Sequence, residues 1–399
     1  MNLQKAAFYL TCGSVVAVPV SIAVSQTLFY VALAILLISG TRLRFPPVKI
    51  PLAIFIGWTF LALFLSGDPR SGTPQIRKLT LFCMLLLVCS TFRSVAQIRG
   101  IVLAWGAVAT VSSFVSFFQF WRKYQQAHAL HKNFYDYYVS ERITGFTSHW
   151  MTFGGEEMII LLMLLAFLFL SSERRWKAAG WACVAILILS LVLGMTRSIF
   201  LLGFPLGALY LVWLWKRWIV ALAPVVLALG LLIGPLRERI VSVFQPHGQT
   251  DSNMHRAITR RTGLAMVKAH PWFGIGPEQI KPQFDRYLPA DVQRPLPEGW
   301  YGHLHNIYLQ YPAERGIPAL LALLWMLGKM VRDFAMALRR KIVAGDARFV
   351  LHGAIAVMIA MLAEGFFEYN LGDSEPLMMF LAVMAFGYVA IASEEVSAV

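Results

Sequence analysis

The chain has 399 residues, of which 58% are hydrophobic and only 14% charged; that is too little polar surface to coat a soluble globule of this size. Its net charge of +14 at pH 7 comes without a basic stripe interleaved with aromatics or a recognisable RNA or DNA module, so nucleic acid is not the expected partner and membrane lipid is. Four cysteines, Cys12, Cys83, Cys89 and Cys183, fall inside apolar stretches and suggest neither a disulfide framework nor a thiolate metal site.

Apolar runs of about 17 to 25 residues, each long enough to cross a bilayer as a helix, recur along almost the whole chain. Twelve spans are expected, at 6–22, 24–40, 50–66, 79–91, 99–121, 150–170, 177–194, 199–214, 218–235, 311–330, 348–367 and 376–393. The first follows Lys5 and resembles a signal peptide, but eleven further spans favour a retained helix. The expected fold class is an all-α polytopic membrane protein of about 12 transmembrane helices with one large, partly helical loop. Its expected divisions are 1–235 with the loop 122–149, then a loop domain at 236–310, then 311–399.

With the amino terminus inside and twelve crossings, the inner segments hold 17 basic residues against five acidic ones, the asymmetry that retention of Lys and Arg during insertion produces. This places the two longest loops, 122–149 and 236–304, outside, where function is expected because loops carry chemistry on a helical scaffold. Eight of the nine histidines fall there: His128, His131, His149, His247, His255, His270, His303 and His305.

Within that outer face, Arg142 stands in ERITGFTSHWMTFGG just before a span, and Arg197 in GMTRSIF, a turn of a few residues between two spans. A translocated arginine with no large loop around it suggests anion binding or pairing, against the plainer reading of contact with lipid headgroups. Residues 253–270 suit a helix whose Arg256 and Arg260, four apart, offer two guanidinium forks to one anion; a solvated basic face is the alternative. Acidic residues gather at outer helix ends (Glu156, Glu157, Glu314, Glu364, Glu368, Asp373 and Glu375), where pairing with these arginines is their simplest role.

The segment HLHNIYLQYPAERG at 303–316 sets histidines at the mouth of an otherwise apolar helix. His305-Asn306, nine residues, then Gly316 resembles the His-Asn/Ser/Gln, nine-residue gap, Gly signature of bacterial O-antigen ligases, within the wider O-antigen ligase and polymerase family. Ala319 stands where that family has Gly, Thr or Val. TRS at 196–198 is similar to the family's outer-turn arginine, and Arg256 followed fifteen residues later by Pro271 in PWFGIG resembles its Pro-x-x-Gly-x-Gly segment; Arg260 occupies the family's usual Trp position.

The resemblance implies a membrane glycosyltransferase of the GT-C type that takes a glycan from undecaprenyl pyrophosphate on the periplasmic face of the bacterial inner membrane and attaches it to the lipid A core oligosaccharide, with no nucleotide sugar, cofactor or metal. The residues suit that chemistry. The chain has neither an Asp-x-Asp metal-diphosphate motif nor a phosphate-cradling glycine loop, and arginines can hold a departing pyrophosphate. Arg197 and Arg256 are expected to do so, with Arg142 and Arg260 behind them. His305 is the expected base for an acceptor hydroxyl, with His303 a structural neighbour, Asn306 orienting the imidazole or a hydroxyl, Tyr308 lining the site and Glu314 fixing an arginine. Direct attack would invert the anomeric carbon. O-antigen polymerase or transfer to protein hydroxyls shares this donor, and a lipid-linked glycan transporter is the alternative from another class.

Overall fold

The computed structural model describes residues 3–244, 252–340 and 345–397, and His247 lies outside them. Every regular element among those residues is a helix, with no strand among them. In chain order the helices are α1 (Leu3–Ala17), α2 (Ile22–Ile38), α3 (Lys49–Leu65), α4 (Thr73–Leu79), α5 (Cys83–Thr91), α6 (Val95–Ala129), α7 (Phe134–Ser140), α8 (Trp150–Leu170) and α9 (Lys177–Leu193), then α10 (Phe204–Trp215), α11 (Ala223–Gly230), α12 (Gly234–Val241), α13 (Ser252–Ala269), α14 (Ile280–Tyr287), α15 (Ile307–Arg315), α16 (Ile317–Arg339), α17 (Ala347–Glu364) and α18 (Ser374–Ser397).

Among the described residues, six helical stretches are long and apolar enough to cross a membrane: Thr73–Thr91, Val95–Ala129, Trp150–Leu170, Ser198–Trp215, Ala347–Glu364 and Ser374–Glu394. Four of the other expected spans are shorter apolar helices, Ile22–Ile38, Lys49–Leu65, Lys177–Leu193 and Arg217–Gly230. The run expected at 311–330 is not one helix. It divides at Gly316 into α15 and α16, and α16 carries Lys329, Arg332 and Asp333 in its second half, which lowers its apolar content.

Helices that are apolar on every side belong in the centre of a bundle. Accordingly α8, α17 and α18 form the core, with 89% of the α8 span buried, whereas only 28% of Ser198–Trp215 is. Large apolar side chains such as Ile38, Ile50, Phe64 and Trp213 remain exposed on the outer helices, as expected of a surface whose solvent is hydrocarbon. Polar caps fix where elements begin. Ser94 and Gln97 form a reciprocal capping box at the start of α6, His149 Nδ1 accepts from Met151 N at the start of α8, and Asn306 Oδ1 accepts from Leu309 N at the start of α15.

One end of the bundle carries the loops 130–149, 194–198, 270–306 and 365–373 together with α12 to α14, where a second, smaller apolar cluster forms around Ile258, Met266, Ile280, Phe284 and Leu304. The segment Pro271–Gly276 is docked backbone to backbone on the α15–α16 break. Ile275 N donates to Ala313 O, Gly276 N to Glu314 O and Ile317 N to Pro271 O, at 2.7–3.0 Å. Gly316 (φ +81°) and Gly274 (φ +66°) make that approach possible: a Cβ on either would overlap the other strand of backbone.

Candidate functional site

Two cavities open at the loop-bearing end, and His305 lines both. The larger, about 820 Å³, is lined by Arg142, His149, Trp150, Arg239, His255, Trp300, His303, Glu368 and Asp373 among others. The smaller, about 360 Å³, is lined by Arg197, Arg256, Arg260 and Asn306 together with Leu201, Leu202, Phe366 and Phe367. The exposed rings of Phe366 and Phe367 give the smaller cavity an apolar rim.

His305 sits one residue ahead of the Asn306 cap with φ +48°, a left-handed backbone that non-glycine residues rarely adopt and that recurs at functional sites. Its Nδ1 lies 3.3 and 3.4 Å from the two Glu368 carboxylate oxygens, and its Nε2 lies 3.3 Å from the Trp300 carbonyl. His303 and His255 crowd the ring, at centroid distances of 4.0 and 5.1 Å. Glu368 is buried to 3% exposure. Burial by itself would raise its carboxyl, but the charge and hydrogen bond of His305, with His303 and Arg256 beyond, outweigh that and hold it down to about 2. Burial, and the like charge of His305, lower His303 to about 4 and His255 likewise to about 4. Both are therefore neutral imidazoles at neutral pH. His255 Nε2 donates to the same Trp300 carbonyl at 3.0 Å.

The arginines surround this dyad. Arg197 begins a π-helical turn, Ser198–Gly203, a feature that often marks functional positions. It donates from Nη1 to Ser242 O at 2.9 Å and from Nη2 to Asn253 Oδ1 at 2.8 Å. Arg256 on α13 approaches Glu368 at 3.9 Å, and Arg260, one turn on, is exposed on the cavity wall. Arg142 is buried against the Trp150 ring at 4.8 Å and donates to Val139 O and Thr196 Oγ1. Its burial, followed by repulsion from Arg239, Arg256 and Arg197, pushes its guanidinium well below the usual range.

The sequence-derived residues thus divide. Arg197, Arg256, Arg260, His305 and Asn306 face the smaller cavity, while Arg142, His303 and His305 face the larger. Asn306 spends its side chain on the backbone, accepting from Leu309 N and donating to Phe366 O, so it fixes the helix start and not the imidazole. Tyr308 lines neither cavity; its hydroxyl donates to Leu362 O and its ring packs on Phe366. Glu314 is fully enclosed on the far side of α15, accepting from Glu278 N and Gln310 Nε2, and its arginine is its own neighbour Arg315 at 3.7 Å.

Sequence reasoning missed Arg239, Ser242 and His255 as site residues; it paired Glu368 with the outer arginines, and Arg256 stands 3.9 Å from it, but it did not foresee the contact with His305. Arg239 Nε donates to Met195 O, beside Arg197, and Ser242 accepts from Arg197. The signal for Glu368 was the one that exposed Arg197, a charge in a very short outer turn.

His303, His305 and Glu368 each place one ligand atom within 4.8 Å of the others, a spacing that a divalent cation can use. Two features of the trio oppose this. His303 Nδ1 accepts the His305 backbone N–H at 3.3 Å, and the Arg256 guanidinium already stands beside Glu368. The trio is better matched to a proton shared between an imidazole and a carboxylate.

No curated protein matches the chain. Residues 182–324, which carry Arg197, Arg256, Arg260, His305, Asn306 and Gly316, match the family model described as O-Antigen ligase.

Proposed function

We propose that the protein is an O-antigen ligase that transfers a glycan from undecaprenyl pyrophosphate to a sugar hydroxyl of the lipid A core at the periplasmic face of the inner membrane. The observation that carries this reading is the placement of His305 on the wall shared by two cavities, one rich in guanidinium groups with an apolar rim, the other wide and lined by aromatic and polar groups. A lipid-borne diphosphate suits the first, since planar forks bind phosphate oxygens in pairs while Leu201, Leu202, Phe366 and Phe367 meet its hydrocarbon. A sugar acceptor suits the second, where Trp150 and Trp300 offer flat apolar faces.

In this mechanism the acceptor hydroxyl oxygen attacks the anomeric carbon, and the bond from that carbon to the pyrophosphate oxygen breaks. Its electron pair leaves with the diphosphate, whose growing charge Arg197 and Arg256 stabilise, with Arg260 supporting; Arg142 lines the acceptor cavity instead. The hydroxyl proton passes to His305 Nε2, and Glu368 on Nδ1 balances the imidazolium that results. Nε2 lies 3.3 Å from the Trp300 carbonyl; for the ring to act as a base, Nε2 must be the unprotonated nitrogen, with Nδ1–H donating to Glu368, and that carbonyl must give way to the acceptor hydroxyl. Single displacement inverts the anomeric configuration, and no step calls on a metal.

The test is reconstitution of the purified protein with undecaprenyl pyrophosphate-linked glycan and lipid A core, with a chelator present. Wild type is expected to form the inverted linkage, and His305→Ala to remain folded and lose turnover by about 10²-fold or more. Retained configuration, near-normal turnover by His305→Ala, or loss of turnover with the chelator would each overturn part of the mechanism. Turnover with a second lipid-linked glycan in place of the core would make it a polymerase.

A further inference from the structure

A third cavity of about 790 Å³ lies at the end of the bundle opposite His305, between the loop ahead of α3, the α5–α6 turn and the last turns of α16 and α18. Its walls are apolar, with Phe92 and Val389 buried and Phe45 and Ile391 half-buried. Three arginines stand at its mouth, Arg44, Arg93 and Arg340. The backbone of Arg44 is pinned by a pair of hydrogen bonds, its N–H donating to Ser90 Oγ at 2.9 Å and its carbonyl accepting from the same hydroxyl at 3.2 Å. Arg93 is held by Nη1 donating to Phe92 O at 2.9 Å and Cys89 O at 3.4 Å, which leaves the rest of its fork for another partner.

Among the described residues the charges around this cavity do not cancel, and no carboxylate is in ion-pair contact with Arg44, Arg93 or Arg340. Of the two described acids on the cavity wall, Asp333 is engaged by Lys329 Nζ at 2.9 Å and by the Tyr388 hydroxyl at 2.9 Å; it and Glu394 face three guanidinium groups. Partial burial and the nearby charge of Arg44 lower the Arg93 guanidinium, as expected where two like charges are held together over an apolar floor.

We propose that this cavity binds the headgroup of an anionic phospholipid, with the phosphodiester on the arginines and the first acyl carbons on the apolar wall. A soluble phosphate would satisfy the guanidinium groups and leave the wall in contact with water; a zwitterionic lipid would cover the wall but bring its own cation to the arginines. A lipid with net negative charge answers both demands. The site lies a full bundle length from the two cavities at His305 and is independent of the reaction read there.

Native mass spectrometry of the full chain in detergent tests this, with phosphatidylglycerol, phosphatidylethanolamine and inorganic phosphate as probes. One retained phosphatidylglycerol is expected, bound more tightly than phosphatidylethanolamine and not displaced by phosphate. Each arginine is expected to contribute about fivefold in affinity, so Arg44→Gln, Arg93→Gln and Arg340→Gln should each weaken retention by about that factor, and the triple variant by about a hundredfold. Arg174→Gln, at the same end but outside the cavity, should change nothing. Equal retention of the two lipids, displacement by phosphate, or an Arg340→Gln variant indistinguishable from Arg174→Gln would overturn the proposal. If the triple variant fails to fold, the single Arg340→Gln exchange at an exposed helix end decides the outcome alone.

Discussion

Replacing Glu368 by Gln keeps shape and hydrogen bonding but removes the charge opposite His305. Burial alone would raise this carboxyl, yet it is held down to about 2, so the charges facing it outweigh desolvation. His305 is the nearest of them, at 3.3 Å, with Arg256 at 3.9 Å. A hydrogen bond between charged groups contributes about 2 kcal/mol, so its loss from the imidazolium would lower kcat by about thirtyfold. The assay is glycan transfer under saturating donor and acceptor. Because the carboxylate acts only through the imidazole, Glu368→Gln introduced into His305→Ala should cost nothing further, and Glu368→Asp should recover part of the rate. A kcat for Glu368→Gln within twofold of wild type, or a further loss in the double variant equal to that of the single, would refute the dyad.

Arg197→Lys should weaken donor binding by about tenfold or more with little change in acceptor KM, since one ammonium cannot span both Ser242 and Asn253 as the fork does; titration with the lipid pyrophosphate checks this. Gly316→Ala should lower stability by about 3 kcal/mol or more, combining a positive-φ backbone with overlap of the Trp272 carbonyl, which a thermal-unfolding measurement in detergent would show. Stability should also fall in acid. His303 and His255, held near 4 when folded against 6.5 for the free side chain, bind fewer protons in the native state, so stability present above about pH 6.5 is progressively lost down to about pH 4. Melting curves across that window should move less for a His303→Gln variant that folds.

The parts of the fold that local sequence dictates were legible. The apolar run at 150–170 is one buried helix with those bounds, and residues 253–270 differ from α13 by a single position at each end. The division of 311–330 was hidden because hydropathy averages over Gly316, whose necessity lies in the Pro271–Gly276 backbone lying across it. Site geometry was legible only where a charge lacked a local excuse, as with Arg197. Arg239, at the start of a long charged loop, looked ordinary, and its role arises from contacts with Met195 and Tyr135 far away in sequence. Tyr308 and Glu314 were placed at the site by their nearness in sequence to His305. His305, however, precedes α15 in a left-handed backbone, so helical spacing does not carry Tyr308 or Glu314 to its side: Tyr308 turns to Leu362 and Phe366, and Glu314 to Glu278 and Gln310.

That helix also gives a physical reason for the nine-residue gap between Asn306 and Gly316. The gap is α15 itself, nine residues and about 13.5 Å at 1.5 Å per residue. At its lower end Gly316 is locked under the Pro271–Gly276 backbone, and Arg315 is held by Gln75 at 3.1 Å from the α3–α4 side. At its upper end the Asn306 amide donates to Phe366 O and Ile307 N donates to Gly365 O, tying the helix start to the loop that carries Glu368. His305 is therefore set against Glu368 by a rod fixed at both ends. One residue more or less would turn its start by about 100° relative to the clamp and carry the imidazole off the carboxylate, whatever residues the rod contained. The spacing rather than the composition of the segment is what the proposed chemistry demands, which is why Ala at 319, buried beyond the clamp, leaves the geometry at His305 intact.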